Sequence, residues 1–242
     1  MKIVIAPDSF KESLSARQVA EAIAEGLRSI VADVIVDIVP MADGGEGTID
    51  ALVTATQGKI VEAEVTGPLG DPLIARYGIL GDGRTAVIEI AEASGLARID
   101  KTARDPMRAT SFGSGELIRH ALDHPIDRIV VGLGGSATVD GGTGLCQALG
   151  VVFVDRAGDT IREPMNGAML AEVDSLTSGG IDRRLADIRV EVACDVDNPL
   201  CGPRGAAAIF GPQKGAVPAQ IDRLDKELQR VYGIIERTFE VS

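Results

Sequence analysis

Between residues 132 and 144 the chain reads Gly-Leu-Gly-Gly-Ser-Ala-Thr-Val-Asp-Gly-Gly-Thr-Gly, six glycines in thirteen residues. A glycine in a helix interior costs roughly 1 kcal/mol, so this stretch resists helix formation. The apolar run Ile129-Val130-Val131 just before it reads as a buried strand. The stretch is therefore predicted to be a loop leaving a strand end. Glycines there let backbone approach a ligand and aim N–H groups at it. Ser136 and Thr138 add hydroxyls and Asp140 adds a carboxylate. Together they are equipped to hold an anionic group, with a metal ion nearby.

Two common phosphate motifs compete for this loop. A Walker A loop needs a Gly-Lys-Ser/Thr ending, and the chain has none. The dinucleotide fingerprint fits better: Gly132, Gly134 and Ala137 satisfy G-x-G-x-x-A, and Asp155 closes the later apolar run Val151 to Val154. That fingerprint must open a helix, however, and here Gly141, Gly142 and Gly144 would fall in its first turns. A dinucleotide-binding oxidoreductase stays as an alternative reading. A ligand-free connection is another, although a turn needs one or two glycines rather than six.

The rest of the chain supports an α/β fold with a parallel sheet. Ile3 to Ala6 reads as a strand that runs into Pro7-Asp8-Ser9-Phe10-Lys11. Ser15 and Gln18 form a capping box ahead of a helical stripe of Val19, Ile23, Leu27 and Ile30. Val34 to Val39 is a second strand, followed by Asp43-Gly44-Gly45-Glu46-Gly47-Thr48 and a helix from about Ile49 to Ala55. This β-α-β-α opening is the pattern of a parallel sheet. Ile60 to Val65 and Leu73 to Leu80 alternate around Gly67-Pro68-Leu69-Gly70-Asp71-Pro72, which predicts an antiparallel pair; Ala86 to Ala91 reads as a further strand. A helix is expected from about Gly115 to Leu122, and a strand from Arg189 to Val192 leading into Cys194-Asp195-Val196-Asp197-Asn198-Pro199. A lysine-bearing loop, Phe210 to Gly215, precedes a long helix faced by Ile221, Leu224, Leu228, Val231, Ile235 and Phe239. Polar turns thus recur after Ala6, Val39 and Val131, and in an open parallel sheet such turns converge on one crevice beyond the strand ends.

Composition narrows the partners. The 242 residues carry a net charge of −12, which argues against a nucleic-acid partner, and two Tyr, five Phe and no Trp offer few stacking platforms. No run approaches the ~20 apolar residues of a membrane span. Cys146, Cys194 and Cys201 lack metal-ligand spacing and read as reduced thiols, hence a cytoplasmic protein. His120 and His124 lie outside every motif and read as surface residues.

Taken in order, these motifs resemble the bacterial-type (class I) glycerate kinase family. The matching stretches are IAPDSFKESLSA (5–16), PMADGGEGT (40–48), TGPLGDP (66–72), IEIAEASGL (88–96), TSFGSGELI (110–118), GLGGSATVDGGTGLCQALG (132–150), CDVDNPLCGPRGA (194–206) and FGPQKGA (210–216). The resemblance implies ATP-dependent phosphorylation of D-glycerate, with 2-phosphoglycerate the expected product and Mg²⁺ the expected metal. It implies a flavodoxin-like domain (1–65 plus 108–150) interrupted by a second α/β lobe (66–107 plus 151–242), with the site between them. The family has Gly where Glu12 stands and Asn where Val139 stands. Its members also continue for a domain-sized stretch beyond the long helix. By that comparison the chain looks truncated, its sheet edge would be open, and it would self-associate, as a homodimer for example, or show little activity by itself. An inactive fragment of such a kinase is the competing reading.

Phosphoryl transfer is mostly positioning and charge neutralisation, which assigns roles within these motifs. Asp195, Asp43 and Lys11 are the expected catalytic groups, with Asp195 the first choice as base. Asp8, Ser9, Gly44, Gly45, Glu46, Gly134, Gly135, Ser136, Thr138, Asp140 and Lys214 are expected to bind substrate or nucleotide. Asp195 and Asp197 are the expected Mg²⁺ ligands. Plainer roles compete: Asp43 as a helix cap, Lys214 as a solvated loop lysine, and Asp197-Asn198 as an Asx turn.

Overall fold

The computed structural model describes residues 1–8, 10, 13–42 and 44–239. The chain opens with strand β1 (Lys2–Ile5), helix α1 (Ala16–Ile30) and strand β2 (Ile35–Ile38). β1 and β2 pair in parallel as a two-stranded sheet, from Lys2 opposite Ile35 to Ile5 opposite Ile38. The capping box of α1 is formed: Ser15 Oγ accepts the Gln18 N–H at 3.3 Å, and Gln18 Oε1 accepts the Ser15 N–H at 2.9 Å. The helix buries Ala16, Val19, Ala20 and Ala24, whereas Ile23 and Ile30 of the expected stripe are exposed. Small alanines thus carry the close packing, and the sheet is too narrow to cover the larger side chains.

Helix α2 (Thr48–Thr56) leads into a five-stranded sheet. Strands β3 (Lys59–Thr66), β4 (Pro72–Ile79) and β5 (Thr85–Glu89) run antiparallel. The strand read as Ala86 to Ala91 stops at Glu89, where helix α3 (Ile90–Ser94) begins. Helix α4 (Phe112–Ala121) then crosses to β6 (Arg128–Gly132), which pairs in parallel with β5. Beyond helix α5 (Thr143–Ala148) and the antiparallel pair β7 (Val152–Asp155) and β8 (Val173–Thr177), strand β9 (Arg189–Ala193) joins the far side of β6, also in parallel. Helices α6 (Ala206–Phe210) and α7 (Pro218–Phe239) close the described chain.

The architecture is mixed α/β with parallel elements, as expected. The strand order β3-β4-β5-β6-β9 nevertheless crosses the lobe limits drawn from sequence. β4 and β5, expected with the second lobe, share one sheet with β6. The change from antiparallel to parallel occurs inside a single sheet, at β5, which local patterning cannot reveal.

One face of this sheet packs Val65, Tyr77, Ile88, Ile129 and Val131 against Leu117 and Ile118 of α4. On the other face Ile49 and Val53 of α2 cover Val87. A second core gathers Val139, Phe153, Met165, Leu170, Leu224 and Leu228 beneath α7. Val139, where the family has an amide, is thus a core residue. Val4, Ile35, Val190 and Val192 remain exposed on β1, β2 and β9.

Candidate active site

The register aligns Glu89, Gly132 and Ala193 as neighbours at the carboxyl ends of β5, β6 and β9. The glycine-rich loop leaves from the middle of this row. The turn after β2 lies across it: the Gly134 N–H donates to Gly44 O at 3.2 Å, and the Leu133 N–H donates to Ala193 O at 3.2 Å. Packing here leaves no space for side chains. A Cβ on Gly132 would collide with the Gly44 carbonyl, one on Gly134 would lie 2.6 Å from Gly45 Cα, and one on Gly44 would lie 2.7 Å from Ala193 O. Glycine is needed at these positions because two backbones touch.

The outer part of the loop is pinned from the other side. The Leu96 N–H donates to Gly135 O at 2.9 Å and the Ala137 N–H donates to Ser94 O at 2.8 Å. Gly135 is the exposed crest, held at φ +73° with Ala91 beneath it. Ser136 and Thr138 are half-buried on either side of Ala137.

Lys214 reaches this loop from the segment after α6. Its Nζ donates to Ser136 Oγ at 2.9 Å and to Thr138 O at 2.6 Å. It is only 8% exposed, so the solvated-lysine alternative does not hold. Burial pulls its amine down to about 8, against a smaller opposing pull from Asp140. It is a cation source in the loop that shifts readily between charged and neutral.

Asp140, expected at the ligand, is bonded within the protein. It is 1% exposed, and its carboxylate accepts from Ser111 N–H (2.9 Å), Ser111 Oγ (2.6 Å), Gly142 N–H (3.1 Å) and Gly144 N–H (3.4 Å). Those bonds fasten the loop to the starts of α4 and α5. The Gly134 N–H is likewise engaged inside the protein, by Gly44 O.

The remaining expected residues divide into two groups. Gly45 is half-buried beside the loop, Glu46 is exposed on the same turn, and Asp8 is exposed after β1, where Pro7 O accepts the Met41 N–H at 2.9 Å. Asp195 and Asp197 are exposed just beyond β9, on a segment anchored by Asn198 Nδ2 donating to Arg204 O at 3.0 Å. Ser9, Lys11 and Asp43 lie outside the described residues. Of the two histidines, His120 is exposed, while His124 is half-buried against Tyr77, with Nε2 3.0 Å from the phenol oxygen.

Glu89 was not singled out from the sequence as a site residue. It is buried at the end of β5, and its Oε1 accepts the Ile49 N–H at 2.6 Å. The available signal was an acid set within the apolar run Val87-Ile88-Glu89-Ile90.

Residues 3–242 match the glycerate kinase family. The chain is 51% identical over 237 residues to a protein named glycerate kinase from Bacillus subtilis, covering 98% of this chain and 62% of that one. It is 51% identical over 241 residues to one named glycerate 2-kinase from Escherichia coli, covering 100% and 63%. A crystal structure from Salmonella typhimurium LT2, of a protein with the provisional name glycerate kinase 2, superposes with a TM-score of 0.86 at 54% identity, covering 100% of this chain and 64% of that one. The chain therefore spans a little under two thirds of the length of these relatives, and by its residues 3–242 it belongs to the glycerate kinase family.

Proposed function

We propose that this chain serves ATP-dependent phosphorylation of D-glycerate, with the 2-hydroxyl as acceptor. The observation that carries this reading is the meeting of the Gly44-Gly45 turn, the Gly132 to Gly135 loop and the end of β9 at Ala193, beside a buried lysine. That packing holds up the exposed crest at Gly135, which an anion can approach closely without meeting a side chain. Ser136, Thr138 and the exposed crest at Gly135 face the phosphates, with Lys214 supplying positive charge behind them. Asp195 accepts the proton of the attacking hydroxyl. The name of the Escherichia coli relative supports the 2-position.

Among the described residues no three ligating side chains converge on a metal position. Mg²⁺ needs no such cage, since one or two carboxylates plus substrate phosphates suffice. The exposed Asp195 and Asp197 fit that duty. When bound there, Mg²⁺ would offset charge on the transferring phosphates. Among the described residues no helix is long and apolar enough to cross a membrane. The free cysteines favour a reducing compartment, and we place the protein in the cytoplasm. A homodimer would cover the exposed Val190 and Val192 of β9.

A coupled ADP-release assay tests the reaction. The expected result is ADP formation that requires D-glycerate; its absence overturns the reading. The loop's part is tested by Gly135→Val. A β-branched residue at positive φ is strained by about 1–3 kcal/mol, enough to displace the crest. Calorimetry is expected to show affinity for ATP or D-glycerate falling roughly tenfold. Unchanged affinity for both ligands would make the loop structural only.

A further inference from the structure

We propose that Glu89 is a positioning residue that fixes the turn 44–49 across the ends of β5, β6 and β9, and through it the glycine-rich loop. Helix α2 begins at Gly47, which has φ +98° and no side chain to cap the free N–H groups that follow. The cap comes instead from forty residues away, where Glu89 Oε1 takes the Ile49 N–H at 2.6 Å. The near end of the same turn carries the Gly44 carbonyl that receives the Gly134 N–H. Glu89 therefore grips one end of the turn while the anion-binding loop leans on the other.

The side chain is 3% exposed, and the charged groups around it are unfavourable. Glu92 of α3 and Asp50 of α2 both repel it. The guanidinium of Arg76 on β4 is engaged by Glu92 and Asp50, and that of Arg98 by Glu92. Burial pushes the Glu89 carboxyl up to about 7. A folded-state value raised above the ordinary carboxylate range means that the fold favours the protonated form. Stability attributable to Glu89 thus falls as pH rises from the usual carboxylate range through about 7. A neutral acceptor of the same shape would hold the turn without that burden.

Two variants test the proposal, and its kinetic readout rests on the phosphoryl-transfer reading. Glu89→Asp withdraws the carboxylate by one methylene; Glu89→Gln keeps the reach and an acceptor but removes the charge. In Glu89→Asp, amide exchange at Ile49 and Gly134 is expected to accelerate while the β5–β6 ladder stays protected, and kcat/KM is expected to fall roughly tenfold or more. Glu89→Gln is expected to restore both readouts to within about threefold of wild type, since position and not charge is what the site needs. Unchanged Gly134 exchange in Glu89→Asp, or faster exchange with wild-type kcat/KM, overturns the proposal. Failure of Glu89→Gln to rescue overturns it as well. If wild-type protein shows no D-glycerate-dependent turnover, the kinase reading fails, and the exchange at Gly134 still decides the role of Glu89.

Discussion

Asp195→Asn is expected to lower D-glycerate-dependent turnover by about 10²–10⁴-fold, the usual loss when a general base is removed. The protein is expected to stay folded. Asp195 is exposed, and the segment that carries it is anchored elsewhere, through Asn198 to Arg204 and through the Gly202 N–H donating to Asp225 Oδ1 at 2.8 Å. Exchanging an exposed carboxylate for the isosteric amide typically shifts stability by no more than about 0.5 kcal/mol. The coupled assay and a thermal melt on the same preparation separate the two effects. Wild-type turnover in the Asn variant would eliminate Asp195 as the base. A collapsed melt would show that the residue holds the structure instead.

Lys214→Met is expected to lower turnover by about 10²–10³-fold, comparable to losing one preorganised donor at a developing charge. Methionine fills a similar volume but leaves Thr138 O and Ser136 Oγ without their partner in a nearly closed space, at about 1–3 kcal/mol. The pH dependence distinguishes this lysine from a surface one. Its folded amine sits at about 8, below its ordinary value of 10.5. Between those values the unfolded chain binds more protons than the folded one, so stability rises with pH across that window. The advantage of wild type over Lys214→Met in denaturant midpoint is therefore expected to grow from pH 8 toward 10.5, and to be smallest below 8. A difference that stays flat over this range would mean that Lys214 titrates as an exposed group and does not sit in the loop.

Local chemistry was readable without the fold. The capping box of Ser15 and Gln18, the alternation of β3 and β4, the apolar face of α7 and the glycine-rich exit from β6 all depend on residues a few positions apart. Period and cap chemistry act over one or two turns of chain, so sequence alone determines them. The ordered motifs likewise pointed to the glycerate kinase family before any contact was known.

What only the tertiary structure decided are pairings between distant residues. Asp140 reads as an available carboxylate until Ser111, twenty-nine positions away, occupies it. Lys214 reads as a loop lysine until it is seen inserted against Ser136 and Thr138, more than seventy residues earlier. Glu89 acquires its part only because β5 lies beside β6 and beneath the start of α2. These roles follow from strand order and from burial, which raises the energetic weight of each charge and hydrogen bond. Neither quantity is written in the spacing of neighbouring residues. The sequence therefore determined which chemical groups stand at the strand ends, and the fold decided which of them are held in bonds to the protein and which stay exposed.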